Sequence, residues 1–260
     1  MKVIILCGGY GTRIRDVADN IPKPMISIGR FPILWHIMKY YAHFGHHDFV
    51  LCLGYKAHTI KDFFLNYEAH IKDFTIELGN TEKLHFHTDH SESDWRVTLA
   101  DTGLNAMTGA RIKRIQKYIG DDEHFMLTYG DGVGDIDVEK LIKFHMAHGK
   151  LLTVTGVRPP GRFGELLSGP AGQITEFNEK PQAAGGRISG GYFVCSRRLF
   201  DYIDDREDIV FETAPMNRLV AEGQMMMFEH DGFWQPMDTN REYQLLNNLF
   251  DSGKAPWVKW

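Results

Sequence analysis

Residues 1–25 read MKVIILCGGYGTRIRDVADNIPKPM, and the fold is decided there. Val3-Ile4-Ile5-Leu6-Cys7 is an unbroken apolar run, β-branched at its start. Such a run suits a strand covered on both faces, as in a parallel sheet, rather than a strand with one wet face. Gly8, Gly9 and Gly11 follow at once. Without Cβ atoms they allow a sharp turn and a close approach of backbone to ligand. A glycine loop after a strand aims N–H groups outward, and those groups favour an anion. Arg13 and Lys23 put a guanidinium and an ammonium within the same stretch. The loop is therefore read as a phosphate site.

Two familiar phosphate loops are excluded by position. A Walker A loop needs Lys-Ser or Lys-Thr after its last glycine, and Thr12-Arg13 follows Gly11. A dinucleotide fingerprint starting at Gly9 needs a small residue where Ile14 stands. The next strand-like segment, DFVLCLGY, ends in Gly54-Tyr55 rather than in an acid for a ribose. NAD chemistry is accordingly disfavoured.

Outward from the loop, apolar spacing alternates between helical and strand-like. FPILWHIMKYYAHFG (31–45) and TIKDFFLNY (59–67) have helical spacing, and DFVLCLGY (48–55) between them reads as a buried strand. This β-loop-α-β-α order predicts a doubly wound, mainly parallel sheet. Residues 71–100 suit short strands and a loop near a ligand. ARIKRIQKYI (110–119) is a one-sided helix. HFMLTYGDG (124–132) is a strand ending in an acid between glycines. DVEKLIKFHMAHG (137–149) is a helix capped by Asp137 and stopped by Gly149. LLTVTGV (151–157) and RISGGYFVCS (187–196) are strands flanking a hairpin-like insert. A helix follows from about Arg198, then another in FETAPMNRLVAEG (211–223). MMMFEHDGFWQPMD (225–238) is extended with a turn, and NREYQLLNNLFDSG (240–253) is the last helix. No linker or internal repeat appears, so a single domain over 1–260 with inserted hairpins is expected.

Composition narrows the classes. A formal charge of −5 argues against coating nucleic acid through bulk electrostatics. No stretch reaches the roughly 18 apolar residues of a membrane span, and the N-terminal run is too short for a signal peptide. Cys7, Cys52 and Cys195 are isolated in apolar segments and read as reduced core residues of a cytoplasmic protein. His85 and His87 share a strand face, but no zinc-like spacing surrounds them, and an exposed polar strand is the default reading.

In open parallel sheets ligands sit beyond the carboxyl ends of the strands. Three such ends carry polar groups: the loop at 8–13, Gly130-Asp131-Gly132, and Asp238 in FWQPMDT. Asp131 is suited to hold Mg²⁺ with phosphate oxygens, and Asp238 is either a second ligand or a plain helix cap. No Ser-His-Asp or Cys-His arrangement stands at recognisable spacing. The assembly is the equipment of transfer at a nucleotide phosphate with one Mg²⁺.

LCGGYGTR followed by PKPM resembles the signature of the sugar-1-phosphate nucleotidyltransferase family. The Gly-Asp after a strand and EKP at 179–181 fit the same family. PILWHIMK, DTGLNAMTGARIKR, TYGDGVGDID, PPGRFGEL and GFWQPMDT are similar to its glucose-1-phosphate cytidylyltransferase branch, and the likeness runs through essentially the whole chain. The resemblance implies transfer of CMP from CTP to α-D-glucose 1-phosphate, giving CDP-glucose, a precursor of bacterial surface polysaccharide such as O-antigen, and pyrophosphate. It implies Mg²⁺ on Asp131 and Asp238. The backbone of Leu6, Cys7, Gly8, Gly9, Tyr10, Gly11 and Thr12 would line the nucleotide, with Gly130 close to it. Arg13 and Lys23 would hold the triphosphate, and with Asp131 they are the catalytic candidates. Thr108 and Arg111 would read the base. Glu179 and Lys180 would meet the sugar phosphate, and Gly191 would admit the sugar. A homo-oligomer is expected, a hexamer among the candidates. Uridylyl or thymidylyl transfer on the same fold, and a non-catalytic regulator that binds nucleotide sugars, are the alternatives. Ile14 for the usual leucine, Ala110 for a second glycine and the bulky Tyr10 are the departures.

Overall fold

The structure is a computed structural model that describes residues 1–11, 14, 20–159, 165–168, 173–178 and 186–260. Seven strands form its central sheet: β1 (Val3–Leu6), β2 (Asp48–Leu53), β3 (Arg96–Asp101), β4 (His124–Tyr129), β5 (Leu152–Val157), β6 (Ile188–Ser196) and β7 (Met225–His230). Their spatial order is β7-β5-β6-β4-β1-β2-β3. β1 lies parallel to both β2 and β4, β2 to β3, and β5 to β7. β6 runs antiparallel to its two neighbours, β4 and β5, which makes the sheet mixed but mainly parallel.

The apolar run at the N-terminus behaves as its composition requires. Val3, Ile4 and Ile5 are wholly buried. Alternate residues point to opposite faces of a strand. Val3, Ile5 and Cys7 accordingly join one core, and Ile4 and Leu6 the other. β2 divides in the same way, with Phe49, Leu51 and Leu53 on the first face and Val50 and Cys52 on the second. Helices cover both faces. α1 (Ile33–His43), α2 (Ala57–Leu65), α4 (Val138–His148) and α6 (Asn240–Asp251) contribute to the first core, and α3 (Thr108–Arg114) and α5 (Ala214–Ala221) to the second. This is the doubly wound arrangement expected from the sequence.

Local signals bound α4 at both ends. Asp137 accepts from Lys140 N at the start of α4, and Gly149 closes it in the left-handed region. The one-sided helix expected at 110–119 breaks after Arg114 and resumes over Gln116–Ile119. The segment following β6 forms 3₁₀ turns over Arg197–Tyr202 rather than an α-helix. Residues 71–100 hold a hairpin (Phe74–Glu77 with Asn80–Phe86) and β3, and none of them lines the cleft that opens at the carboxyl end of β1. The three cysteines are buried and unpaired. The aromatic tail closes the chain's own core: Trp257 is fully buried and donates through Nε1 to His36 Nδ1 at 3.4 Å. Among the described residues no helix is long and apolar enough to cross a membrane.

Candidate active site

The chain leaves β1 for β2 on one side and β4 enters on the other, so the sheet's direction of travel reverses between β1 and β4. A crevice opens beyond the carboxyl ends of such a strand pair. Leu6 pairs with Tyr129 at that end. A cleft of about 390 Å³ lies there, lined by Leu6–Gly11, Ile14, Lys23, Pro24, Leu104–Thr108, Arg111, Tyr129–Asp131 and Asp238.

The glycines of the loop have separate reasons. Gly11 adopts φ +60°, which a side chain would strain. A Cβ on Gly8 would fall 2.2 Å from the guanidinium of Arg111. Arg111 is almost wholly buried, and its guanidinium binds this region together. Nη1 donates to Leu53 O, Thr102 Oγ1 and Gly103 O at 2.8–3.0 Å, and Nη2 to Gly8 O at 3.0 Å and Leu104 O at 3.2 Å. The guanidinium thus ties the ends of β1 and β2 to the segment at 102–104. Both terminal nitrogens of this expected base reader face protein oxygens. Cys7 also borders the cleft, but burial holds its thiol well above the usual range, and so do Cys52 and Asp131 nearby, which rules it out as a ready thiolate.

At the other end of the loop Lys23 meets both acids. Its Nζ lies 2.5 Å from Asp131 Oδ2 and 2.5 Å from Asp238 Oδ1. Burial alone would lower the Lys23 pKa, but attraction and hydrogen bonds from Asp131 and Asp238 outweigh it and raise the value. The ammonium stays charged at neutral pH. A two-stranded ladder sets the acids. Gly132–Gly134 pairs antiparallel with Trp234–Pro236, and Met237 N donates to Asp131 O at 2.8 Å. The two carboxylates therefore flank one short ribbon. Asp238 is not the cap of α6. Thr239 caps it, in a reciprocal box with Glu242, which leaves the Asp238 carboxylate turned to Lys23.

Gly130 sits tightly between strands. A Cβ there would lie 3.0 Å from Leu6 O and 3.2 Å from both Cys7 Sγ and Pro24 Cγ. Gly191 has φ +74°, and a Cβ on it would strike the Tyr129 ring. Ala110 is accommodated without difficulty, because the close approach falls on Gly109, where a Cβ would meet Ile209 Cγ2 at 2.4 Å. Ile14 is buried in the first core, as a leucine would be. Tyr10 arches over the cleft mouth and donates to Asn105 Oδ1 at 2.8 Å, a clasp with no sequence signal. Thr12, Arg13, Glu179 and Lys180 lie outside the described residues.

One residue that sequence reading passes over stands at the rim. Glu212 accepts from Thr108 Oγ1 at 2.6 Å and from the Tyr129 hydroxyl, which both border the cleft. Burial, with Glu212 beside it, raises the Tyr129 pKa far out of the physiological range. Among the described residues no three His, Cys, Asp or Glu groups gather to hold a metal. Two carboxylates around a cation, open to a cleft, nonetheless suit Mg²⁺, which takes its remaining ligands from phosphate and water. The position of the Lys23 ammonium marks where positive charge is favoured.

The cleft has counterparts. The nucleotidyl transferase family profile matches residues 2–239. Over 260 residues the chain is 48% identical to the glucose-1-phosphate cytidylyltransferases of Salmonella typhi and Salmonella typhimurium, covering all of this chain and all of each relative. The crystal structure of HddC from Yersinia pseudotuberculosis superposes with a TM-score of 0.68 at 23% identity, over 96% of this chain and 99% of that one, a likeness of fold. With a phosphate-type loop, a Lys–Asp–Asp cluster and a match along nearly its whole length, the chain belongs to the nucleotidyl transferase family.

Proposed function

We propose that this nucleotidyltransferase makes CDP-glucose and pyrophosphate from CTP and α-D-glucose 1-phosphate with Mg²⁺. The observation that carries the chemistry is the convergence of Lys23, Asp131 and Asp238 at the end of the glycine loop. The full-length likeness to relatives named for CTP and glucose 1-phosphate supports the choice of substrates.

The mechanism rests on charge. A sugar phosphate has its second pKa near about 6, so its attacking oxygen is already an anion at neutral pH. No general base is needed. The barrier comes instead from bringing that anion to an anionic triphosphate, and positioning with electrostatic neutralisation lowers it. The Gly8–Gly11 backbone would cradle the nucleotide phosphates. Lys23 would swing from its carboxylates to a non-bridging phosphoryl oxygen. Asp131 and Asp238 would then hold Mg²⁺, which supplies neutralisation and alignment of the two phosphates when bound. On the same reading Arg13 would hold the leaving pyrophosphate, Thr108 would meet the base, and Glu179, Lys180 and Gly191 would serve the sugar phosphate. The wider reading includes a homo-oligomer. Leu65, Phe74, Ile76, Leu78 and Leu84, exposed on α2 and the 74–86 hairpin, support it. Light scattering of the purified protein would decide its mass.

The test is pyrophosphate release from CTP, UTP, dTTP, ATP and GTP with glucose 1-phosphate, with and without Mg²⁺. Release with CTP that depends on Mg²⁺ is expected. Equal release with UTP would end the cytidylyl reading while leaving the transferase chemistry in place.

A further inference from the structure

We infer that Glu212 is a positioning residue that makes the cleft selective for cytosine, by fixing the hydroxyl proton of Thr108; this rests on the cytidylyltransferase reading. A threonine hydroxyl has one proton to give and two lone pairs to receive with. The proton of Thr108 goes to Glu212 Oε2 at 2.6 Å, and a carboxylate can only accept. One lone pair takes the Phe211 N–H at 2.9 Å. One lone pair is left. Toward a ligand in the cleft, Thr108 can therefore accept a hydrogen bond but cannot donate one. Cytosine offers an amine at its 4-position, where uracil and thymine offer a carbonyl oxygen. An acceptor-only hydroxyl welcomes the first and opposes the second.

Thr108 rather than Tyr129 is assigned to the base. Thr108 opens α3 from the 104–108 wall, and Arg111 of the same helix bonds to both Leu104 O and Gly8 O. That wall and the nucleotide loop are thus held as one unit. Tyr129 instead packs its ring against Gly191. The position of Glu212 is set by backbone. Gly109 N and Ala110 N both donate to Ile209 O, at 2.9 and 3.2 Å, and Met107 N donates to Glu207 O at 2.9 Å. Phe211, just before Glu212, is anchored in the second core. The exposed acid is therefore carried on a segment clamped to the first turn of α3.

The experiment compares kcat/KM for CTP and UTP in wild type, Glu212→Gln and Thr108→Val, with glucose 1-phosphate and Mg²⁺. In Glu212→Gln the amide can donate to Thr108, which frees the hydroxyl proton to face a carbonyl. The CTP-to-UTP ratio is expected to fall about tenfold, chiefly through a gain with UTP. In Thr108→Val, which is isosteric, the ratio falls through a loss with CTP. A residue that merely supported the fold would lower both substrates alike and leave the ratio unmoved. A CTP-selective wild type whose ratio survives in either variant overturns the assignment. A wild type that uses UTP as well as CTP overturns the cytidylyl reading itself, and the inference with it.

Discussion

Lys23 Nζ lies 2.5 Å from Asp238 Oδ1, though 215 positions of chain separate them. The same nitrogen reaches Asp131 Oδ2 at 2.5 Å. One ammonium thus gathers two carboxylates from distant parts of the sequence, and charge balance at the site depends on all three.

Replacing either acid should therefore harm catalysis far more than folding. Asp131→Asn and Asp238→Asn are each expected to lower kcat by about 10²–10³, and Lys23→Met by a similar factor. In the two acid variants the melting temperature should move by no more than about 4 °C, because each carboxylate is partly open to solvent and Lys23 keeps the other as its partner. Steady-state pyrophosphate release and a thermal melt on each variant make the check. Near-normal turnover in one variant removes that residue from its role.

Arg111 carries the opposite balance. Five protein oxygens accept from its terminal nitrogens, and a lysine ammonium cannot span them. Arg111→Lys is expected to cost about 2–4 kcal/mol of stability in urea titration and to raise KM for CTP as the Gly8 loop loosens. A stability loss under about 0.5 kcal/mol would show that the buried fork is dispensable.

His36 should make the protein acid-sensitive. Its ring is fully buried, with Nε2 at 2.9 Å from Ile28 O and Nδ1 accepting from Trp257, an arrangement that suits the neutral ring. Burial lowers its pKa from 6.5 to about 4, against a smaller raising effect of the Ile28 carbonyl. Between those values the unfolded chain takes up a proton that the folded chain refuses. Stability is thus complete above pH 6.5 and falls as the pH drops toward 4, by up to about 3 kcal/mol from this residue. His145 and His46, also lowered to about 4 by burial, add to the trend. Denaturation curves from pH 7 to 4.5 should be steeper for wild type than for His36→Gln. Identical slopes would discharge His36 from the effect.

The aromatic tail gives a packing test. Trp257 is fully buried, stacked at 5.6 Å on Phe233. Trp257→Ala is expected to cost about 3–5 kcal/mol. Calorimetry that finds the variant as stable as wild type would mean that the tail is a loose appendage.

The sheet was open to reading because its determinants are local. A continuous apolar run specifies a strand buried on both faces, and α4 is bracketed by Asp137 and Gly149 as a cap and a stop should bracket it. The glycine loop and Asp131 are legible for the same reason: each sits at the end of such a run. What escapes is set by tertiary contact. Asp238 has the local look of a helix cap, and only the fold shows Thr239 in that place. Glu212 is an acid in an ordinary loop until Thr108, 104 positions away, comes against it. The multiple bonds of Arg111 likewise depend on where β1, β2 and the 102–104 segment end. Periodicity carries no information about such meetings.

The ribbon that joins Gly132–Gly134 to Trp234–Pro236 bears on how the enzyme is made. On the ribosome, the glycine loop, Lys23 and Asp131 emerge before that ribbon can close. The strand that completes the ribbon, and Asp238 after it, arrive long after Lys23 has been translated. Until then the cleft can have its loop and one carboxylate but not the second. Competence for phosphoryl chemistry therefore waits on translation through Asp238, and a chain halted before that residue would lack one of the site's two carboxylates.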